Sequence, residues 1–178
     1  MTDLRSPAID TPSSLSRLRV AADHYREAFG WETEASGQTV VATLGGALGA
    51  VAVAATRIRD VLAPIATMGE PCPTLVIPRS TTPSWVVLVD TRDYLPDGVV
   101  PGGLQVLPMF TRLPLPPSTL DAGVVRWLVE LDYQKRWLPS VASVLLAGAW
   151  NAGHERRGGR PIRSRPTTAG ANRGGTGG

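Results

Sequence analysis

Alternation of apolar and polar positions is sharpest between Gln105 and Asp132. Val125, Trp127, Val129 and Leu131 fall on one side of an extended chain, with Arg126 and Glu130 on the other. Ahead of them Val106, Leu107, Met109 and Phe110 make an apolar run, and Leu113 and Leu115 alternate with Arg112 and Pro114. Leu115-Pro116-Pro117-Ser118 stands between the two. Adjacent prolines fix φ and remove two N–H donors, so a central strand must stop there. Asp121 and Gly123 supply turn chemistry. The pattern predicts two strands joined by a proline turn, a β-hairpin.

Elsewhere the periods change from element to element. Leu15, Leu18, Ala22, Tyr25 and Phe29 recur at helical spacing behind a serine N-cap at Ser13-Ser14, and Gly30 ends that helix. Trp31 should pack back on the core. Thr39–Thr43 and Ala50–Ala55 read as strands about a Gly45–Gly49 turn. Arg57–Met68 reads as a helix with Ile58, Val61, Leu62 and Ile65 inward, kinked or shortened by Pro64. Pro73–Pro78 and Trp85–Asp90 read as strands, and Thr91–Gly103 as a loop. Pro139-Ser140 opens a last helix with Val141, Val144, Leu145, Ala149 and Trp150 inward, closed by Gly153. The expected fold class is α+β: a single domain over 12–153, with a mostly antiparallel or mixed sheet and flanking helices. Residues 1–11 and 154–178 lack the apolar content to offset their ordering entropy and read as disordered.

Composition adds little to this picture, but charge changes it. The chain has 178 residues and a net charge of +3, unevenly spread. Residues 1–153 carry 12 basic and 14 acidic groups, a net of −2; residues 154–178 carry six Arg and one Glu, a net of +5. The basic tail residues Arg156, Arg157, Arg160, Arg163, Arg165 and Arg173 are therefore the candidate nucleic-acid contacts. Cys72 is the single cysteine, which excludes an internal disulfide and a cysteine metal site. No apolar h-region opens the chain, and the expected location is cytoplasmic. Residues 35–56 are uncharged and contain Gly45-x-x-x-Gly49, the spacing of packed membrane helices. They are too rich in Gly, Ala and Thr for a span, so no membrane partner is expected. The same glycines form no phosphate loop, since no Lys-Ser/Thr follows.

The order of elements, with certain residues, carries a resemblance. Those residues are Phe29-Gly30-Trp31, Met68-Gly69, Val76-Ile77-Pro78 leading into Trp85-Val86-Val87-Leu88-Val89, and above all Leu115-Pro116-Pro117-Ser118 with Val125-Arg126-Trp127-Leu128-Val129. Over about residues 18 to 152 the chain resembles the short actinobacterial proteins related to the bifunctional DNA primase/polymerase N-terminal domain. That family is similar to enzymes that join nucleotides with divalent metals held by carboxylates, which stabilise the attacking and leaving oxygens. The resemblance places its acid-x-acid pair at Ala50-Val51-Ala52-Val53, its histidine at Ser84-Trp85 and its third acid at Leu104-Gln105-Val106. None of those positions holds a carboxylate or a histidine.

The remaining acids offer weak metal-binding candidates: Asp90 with Asp93 after a strand, and Glu130 with Asp132. Turn chemistry and a solvated strand face explain them as well. His24 lies on the first helix, where a structural or exposed role is the simpler account. The implied function is a catalytically inactive primase/polymerase-like domain. Its partners would be DNA, bound weakly and without sequence preference through the tail, or a replication or other protein. The alternatives are a protein-interaction module, signalled by surface Trp85, Trp137 or Trp150, and an active metal-dependent nucleotidyltransferase using Asp90, Asp93, Glu130 and Asp132. All three tryptophans are expected in the core, where they would signal nothing. No cofactor is implied.

Overall fold

A computed structural model describes residues 13–92 and 100–158, the last eight through their backbone alone. The first helix, α1 (Ser14–Phe29), begins where Ser13 Oγ accepts the Ser16 N–H. It ends where Gly30 adopts φ 70° and returns its N–H to the Arg26 carbonyl. Leu18, Ala22 and Tyr25 face inward, and Trp31 is buried directly after the turn.

Three strands make a small antiparallel sheet in the order β1 (Thr33–Ser36), β2 (Thr39–Thr43), β7 (Arg112–Leu115). β1 is polar, with no apolar alternation for a sequence reading to find. Five strands make the main sheet, in the order β10 (Arg126–Val129), β4 (Thr74–Ile77), β5 (Ser84–Asp90), β3 (Leu48–Val53), β6 (Leu104–Val106). Every named pair is antiparallel. A two-residue ribbon, β8 (Thr119–Leu120) with β9 (Gly123–Val124), lies between β7 and β10.

The central strands are buried on both faces, and this sets the layering. Leu48, Ala50, Leu75, Ile77, Val86 and Leu88 share one apolar cluster with α1, the small sheet, Val125 and Leu131. Val51, Val53, Val87, Val89 and Leu104 share a second with α2 (Ile58–Thr67) and α3 (Val141–Gly158). The protein is thus an α+β single domain: two helices on one face of the main sheet, and a small sheet with one helix on the other. Pro64 sits inside α2, which is ten residues long. Arg57, preceding α2, donates to the carbonyls of Gly102 (2.9 Å) and Gly148 (2.6 Å) and to Asp60 (3.0 Å), tying α2 to α3 and to the approach of β6.

Several expectations are corrected. The proline segment does not join a hairpin: β7 pairs with β2 in the small sheet, and β10 pairs with β4 at the edge of the main one. The apolar run before it also divides. Leu104–Val106 belongs to the main sheet and Arg112–Leu115 to the small one, with Phe110 at φ 66° in the corner between them. Gly153 does not close α3, which continues to Gly158. A glycine inside a helix costs only about 1 kcal/mol relative to alanine, so it need not stop one that is anchored by Val141, Val144 and Leu145. The 12–153 boundary therefore cuts through this helix. Ala149 and Trp150 do not face inward, and Trp150 is 73% exposed. Residues 35–56, tested above as a membrane span, are strands and turns. No helix among the described residues is long and apolar enough to cross a membrane. Of the segments expected to be disordered, 1–11 and 154–178, residues 1–11 and 159–178 lie outside the described residues, whereas 154–158 form the last turn of α3, which corrects the expectation there.

Candidate functional site

The three places that the resemblance assigns to catalytic groups are neighbours. β3 lies between β5 and β6, so Ala52 stands opposite both Val86 and Gln105, and Val53 opposite both Trp85 and Leu104. A shallow depression of about 420 Å³ opens there, lined by Ala52, Ser84, Trp85 and Gln105 among others. Its polar side chains are the Gln105 amide, the Thr82 and Ser84 hydroxyls and the Trp85 indole. Ser84 Oγ already accepts a hydrogen bond from Arg79 at 2.9 Å. No carboxylate lines this surface, so it has nothing with which to hold a divalent cation. Trp85 is half-buried, and its indole N–H is buried without a hydrogen-bond partner among the described residues.

Two of the weak metal candidates, Asp90 and Asp132, are committed to other partners. Asp90 closes β5 and forms an ion pair with Arg92, the main cause that holds its carboxyl below the usual range. Asp93 lies outside the described residues. Asp132 accepts the backbone N–H groups of Gln134 (2.9 Å) and Lys135 (3.0 Å), and the Lys135 bond leads in lowering its pKa. It caps a turn. Glu130 is exposed, beyond the end of β10. No group of three or more His, Cys, Asp or Glu side chains among the described residues could hold a metal. Cys72 is buried, and desolvation pushes its thiol up to about 12, which leaves it protonated and unreactive at neutral pH.

Asp90 does border a polar cleft of about 330 Å³ at the start of α3. Ser140 Oγ accepts the Ser143 N–H at 3.1 Å and lies 3.0 Å from its hydroxyl, capping the helix. Glu70 lies across the cleft with its Oε2 buried and unpartnered among the described residues. Trp137 lines the cleft and is 53% exposed. Trp137 and Trp150 are thus surface residues, which corrects the core reading for both. They lie on different elements and are not shown to form one patch.

A second feature has little sequence signal. Two adjoining depressions of about 550 and 390 Å³ run along α1, sharing Arg17 and Pro117. One wall is the stripe Arg17, Val20, His24; the other includes Pro116, Pro117 and Tyr133. His24 meets Tyr133 edge-on at 4.9 Å, so this histidine belongs to an aromatic contact. Helical spacing could have suggested the stripe, but nothing local places Tyr133 against it.

The tail candidates divide. Arg156 and Arg157 fall in the last turn of α3, whose backbone alone is described there. Arg160, Arg163, Arg165 and Arg173 lie outside the described residues. No protein-family model matches the chain, and no curated protein and no solved structure matches it.

Proposed function

We propose that the chain is a catalytically inactive primase/polymerase-like domain that binds DNA or a replication partner. The observation that carries this reading is the juxtaposition on β3, β5 and β6. The positions matched to the family's acids and histidine lie side by side, as a shared site requires, and they present methyl, hydroxyl and amide groups where the chemistry needs carboxylates. The basic segment adds a means of contact with phosphates. Arg156 and Arg157 fall in the last turn of α3, and four more arginines follow in the sequence.

The reading is tested by fluorescence anisotropy with labelled single- and double-stranded DNA at two salt concentrations. The full chain is compared with one ending at Gly158, which keeps α3 whole. Salt-sensitive binding that survives the truncation places a nucleic-acid surface on the domain. Binding lost with residues 159–178 reduces the DNA role to generic arginine contact. No binding by either form at low salt removes the DNA reading. Metal-dependent nucleotide incorporation that Asp90→Ala abolishes would overturn the non-catalytic half.

A second reading, a protein-interaction module, is favoured by one observation. Leu146 and Trp150, one turn apart on α3, are 68% and 73% exposed. Large apolar groups left on a helix surface are characteristic of interfaces. Loss of a co-purifying partner on Trp150→Ala, with DNA binding absent, would establish it.

A further inference from the structure

We propose that the outer edge of β10 pairs with the same edge of a second copy of this chain, antiparallel about a twofold axis through Leu128. β10 is the terminal strand of the main sheet, with β4 as its one neighbour there. Among the described residues, no backbone hydrogen bond beyond that ladder engages residues 126–130. An edge strand in that state offers its outward N–H and C=O groups to another strand.

The side chains select the occupant. Antiparallel pairing about Leu128 sets position 126 against 130, 127 against 129 and 128 against itself. Arg126 of one copy then faces Glu130 of the other, twice by symmetry. Trp127 meets Val129, an aromatic with a β-branched side chain, also twice, and the two Leu128 side chains meet on the axis. Burial agrees, because residues directly opposite across such a ladder share a face. Arg126, Leu128 and Glu130 are exposed, with Leu128 at 45%, while Trp127 and Val129 are half-buried. Neither Arg126 nor Glu130 forms an ion pair among the described residues. The charges on the edges of the small sheet are taken, since Glu34 of β1 pairs with Arg112 of β7. β6, at the far edge of the main sheet, is three residues long and uncharged. Trp127 pairs with Leu75 and Val129 with Thr74, so Leu128 is the extra residue of a bulge. A bulge twists an edge and discourages long, unselective pairing. The contact is therefore short, and the two charge pairs fix its register. It requires no DNA contact.

Sedimentation velocity on the full chain, from micromolar to millimolar concentration, tests this. Wild type is compared with Arg126→Glu, with Glu130→Arg, with the double variant Arg126→Glu/Glu130→Arg, and with an equimolar mixture of the two single variants. Both positions are exposed, so each monomer should keep its fold, which thermal melts check. Each single reversal replaces two opposite-charge pairs with two like-charge pairs. The expected result is a concentration-dependent dimer in wild type and dimerisation about tenfold weaker, or about 1.4 kcal/mol, in each single variant. The double variant should recover to within about twofold of wild type, because its pairs are again opposite in sign. So should the mixture, where one copy carries acids at both positions and the other carries bases. A wild type that stays monomeric throughout overturns the proposal. A dimer that the single reversals leave unchanged overturns it too, because that dimer uses another face. Failure of both the double variant and the mixture to recover also overturns it.

Discussion

Two regions carry the sequence signals that invite a functional reading, and they behave in opposite ways. One is the seam where the proline segment meets α1 and β2. The other is the surface of β3, β5 and β6 to which the proposed resemblance would assign catalytic groups. The seam is dense with specific contacts. Ser118 is fully buried; its hydroxyl accepts the Val40 N–H at 2.8 Å and lies within reach of the Val40 and Leu115 carbonyls. Tyr25 donates to the Pro116 carbonyl at 2.9 Å. The sheet surface is sparse: Ala52 is half-buried, Gln105 is exposed, and the Ser84 hydroxyl accepts one hydrogen bond, from Arg79, among the described residues. The most distinctive motif in the sequence therefore has a structural explanation. Two prolines leave backbone groups that cannot join a ladder, and Ser118 and Tyr25 satisfy their neighbours. The difference teaches that a distinctive motif and a chemical site need not coincide.

The largest expected effect is at the seam. Ser118→Ala leaves the buried Val40 N–H without its acceptor, at a cost of about 1–3 kcal/mol. For a chain of this size that is a fall in Tm of about 2–4 °C per kcal/mol, readable by calorimetry. Tyr25→Phe should cost less, about 0.5–1.5 kcal/mol, since a single hydroxyl bond is lost while the ring stays packed against Trp31. Burial drives the Tyr25 hydroxyl well above its ordinary pKa, so it stays protonated and donating throughout the physiological range. On the sheet, Ser84→Ala and Gln105→Ala should each move stability by less than about 0.5 kcal/mol. If Ser84→Ala destabilised as much as Ser118→Ala, the contrast between the two regions would be gone.

Much of the fold was legible because its signals are local. Thr39–Thr43 coincides with β2, and Thr74–Ile77 and Ser84–Asp90 lie where apolar runs are bounded by prolines or polar turns. Ser13 and Gly30 mark the ends of α1 by capping chemistry that acts over a few residues. Strand partnership was not legible. β7 and β10 look like a hairpin because they are close in sequence, yet their partners β2 and β4 are chosen by the burial of Leu113, Leu115 and Val125 in a common core. The fates of the tryptophans follow the same logic. Trp31 is fixed by the Gly30 turn, whereas the exposure of Trp137 and Trp150 depends on which face of the assembled domain each meets. The candidate acids were visible one by one, but the commitment of Asp90 to Arg92 and of Asp132 to turn N–H groups was not.

The smallest expected effect concerns Asp90, and it sharpens the comparison from the chemical side. Its pKa is lowered in the folded protein, chiefly by its hydrogen bonds with Arg92. A carboxylate whose folded pKa lies below its unfolded value of about 3.9 contributes stability that is fully present above that value. The contribution is lost as pH falls through the folded pKa. The ion pair is largely solvent-accessible on the arginine side, so screening keeps the contribution small. Asp90→Asn should therefore lower Tm slightly at neutral pH and leave it nearly unchanged once the pH has fallen below the folded pKa of Asp90, with the difference shrinking as salt is added. A catalytic or metal-binding Asp90 would behave differently. Added divalent cation would raise the wild-type Tm at neutral pH and leave Asp90→Asn unmoved. Thermal melts of both proteins, with and without magnesium or manganese, separate a paired surface carboxylate from a metal ligand. The ion pair with Arg92 makes the first outcome the expected one.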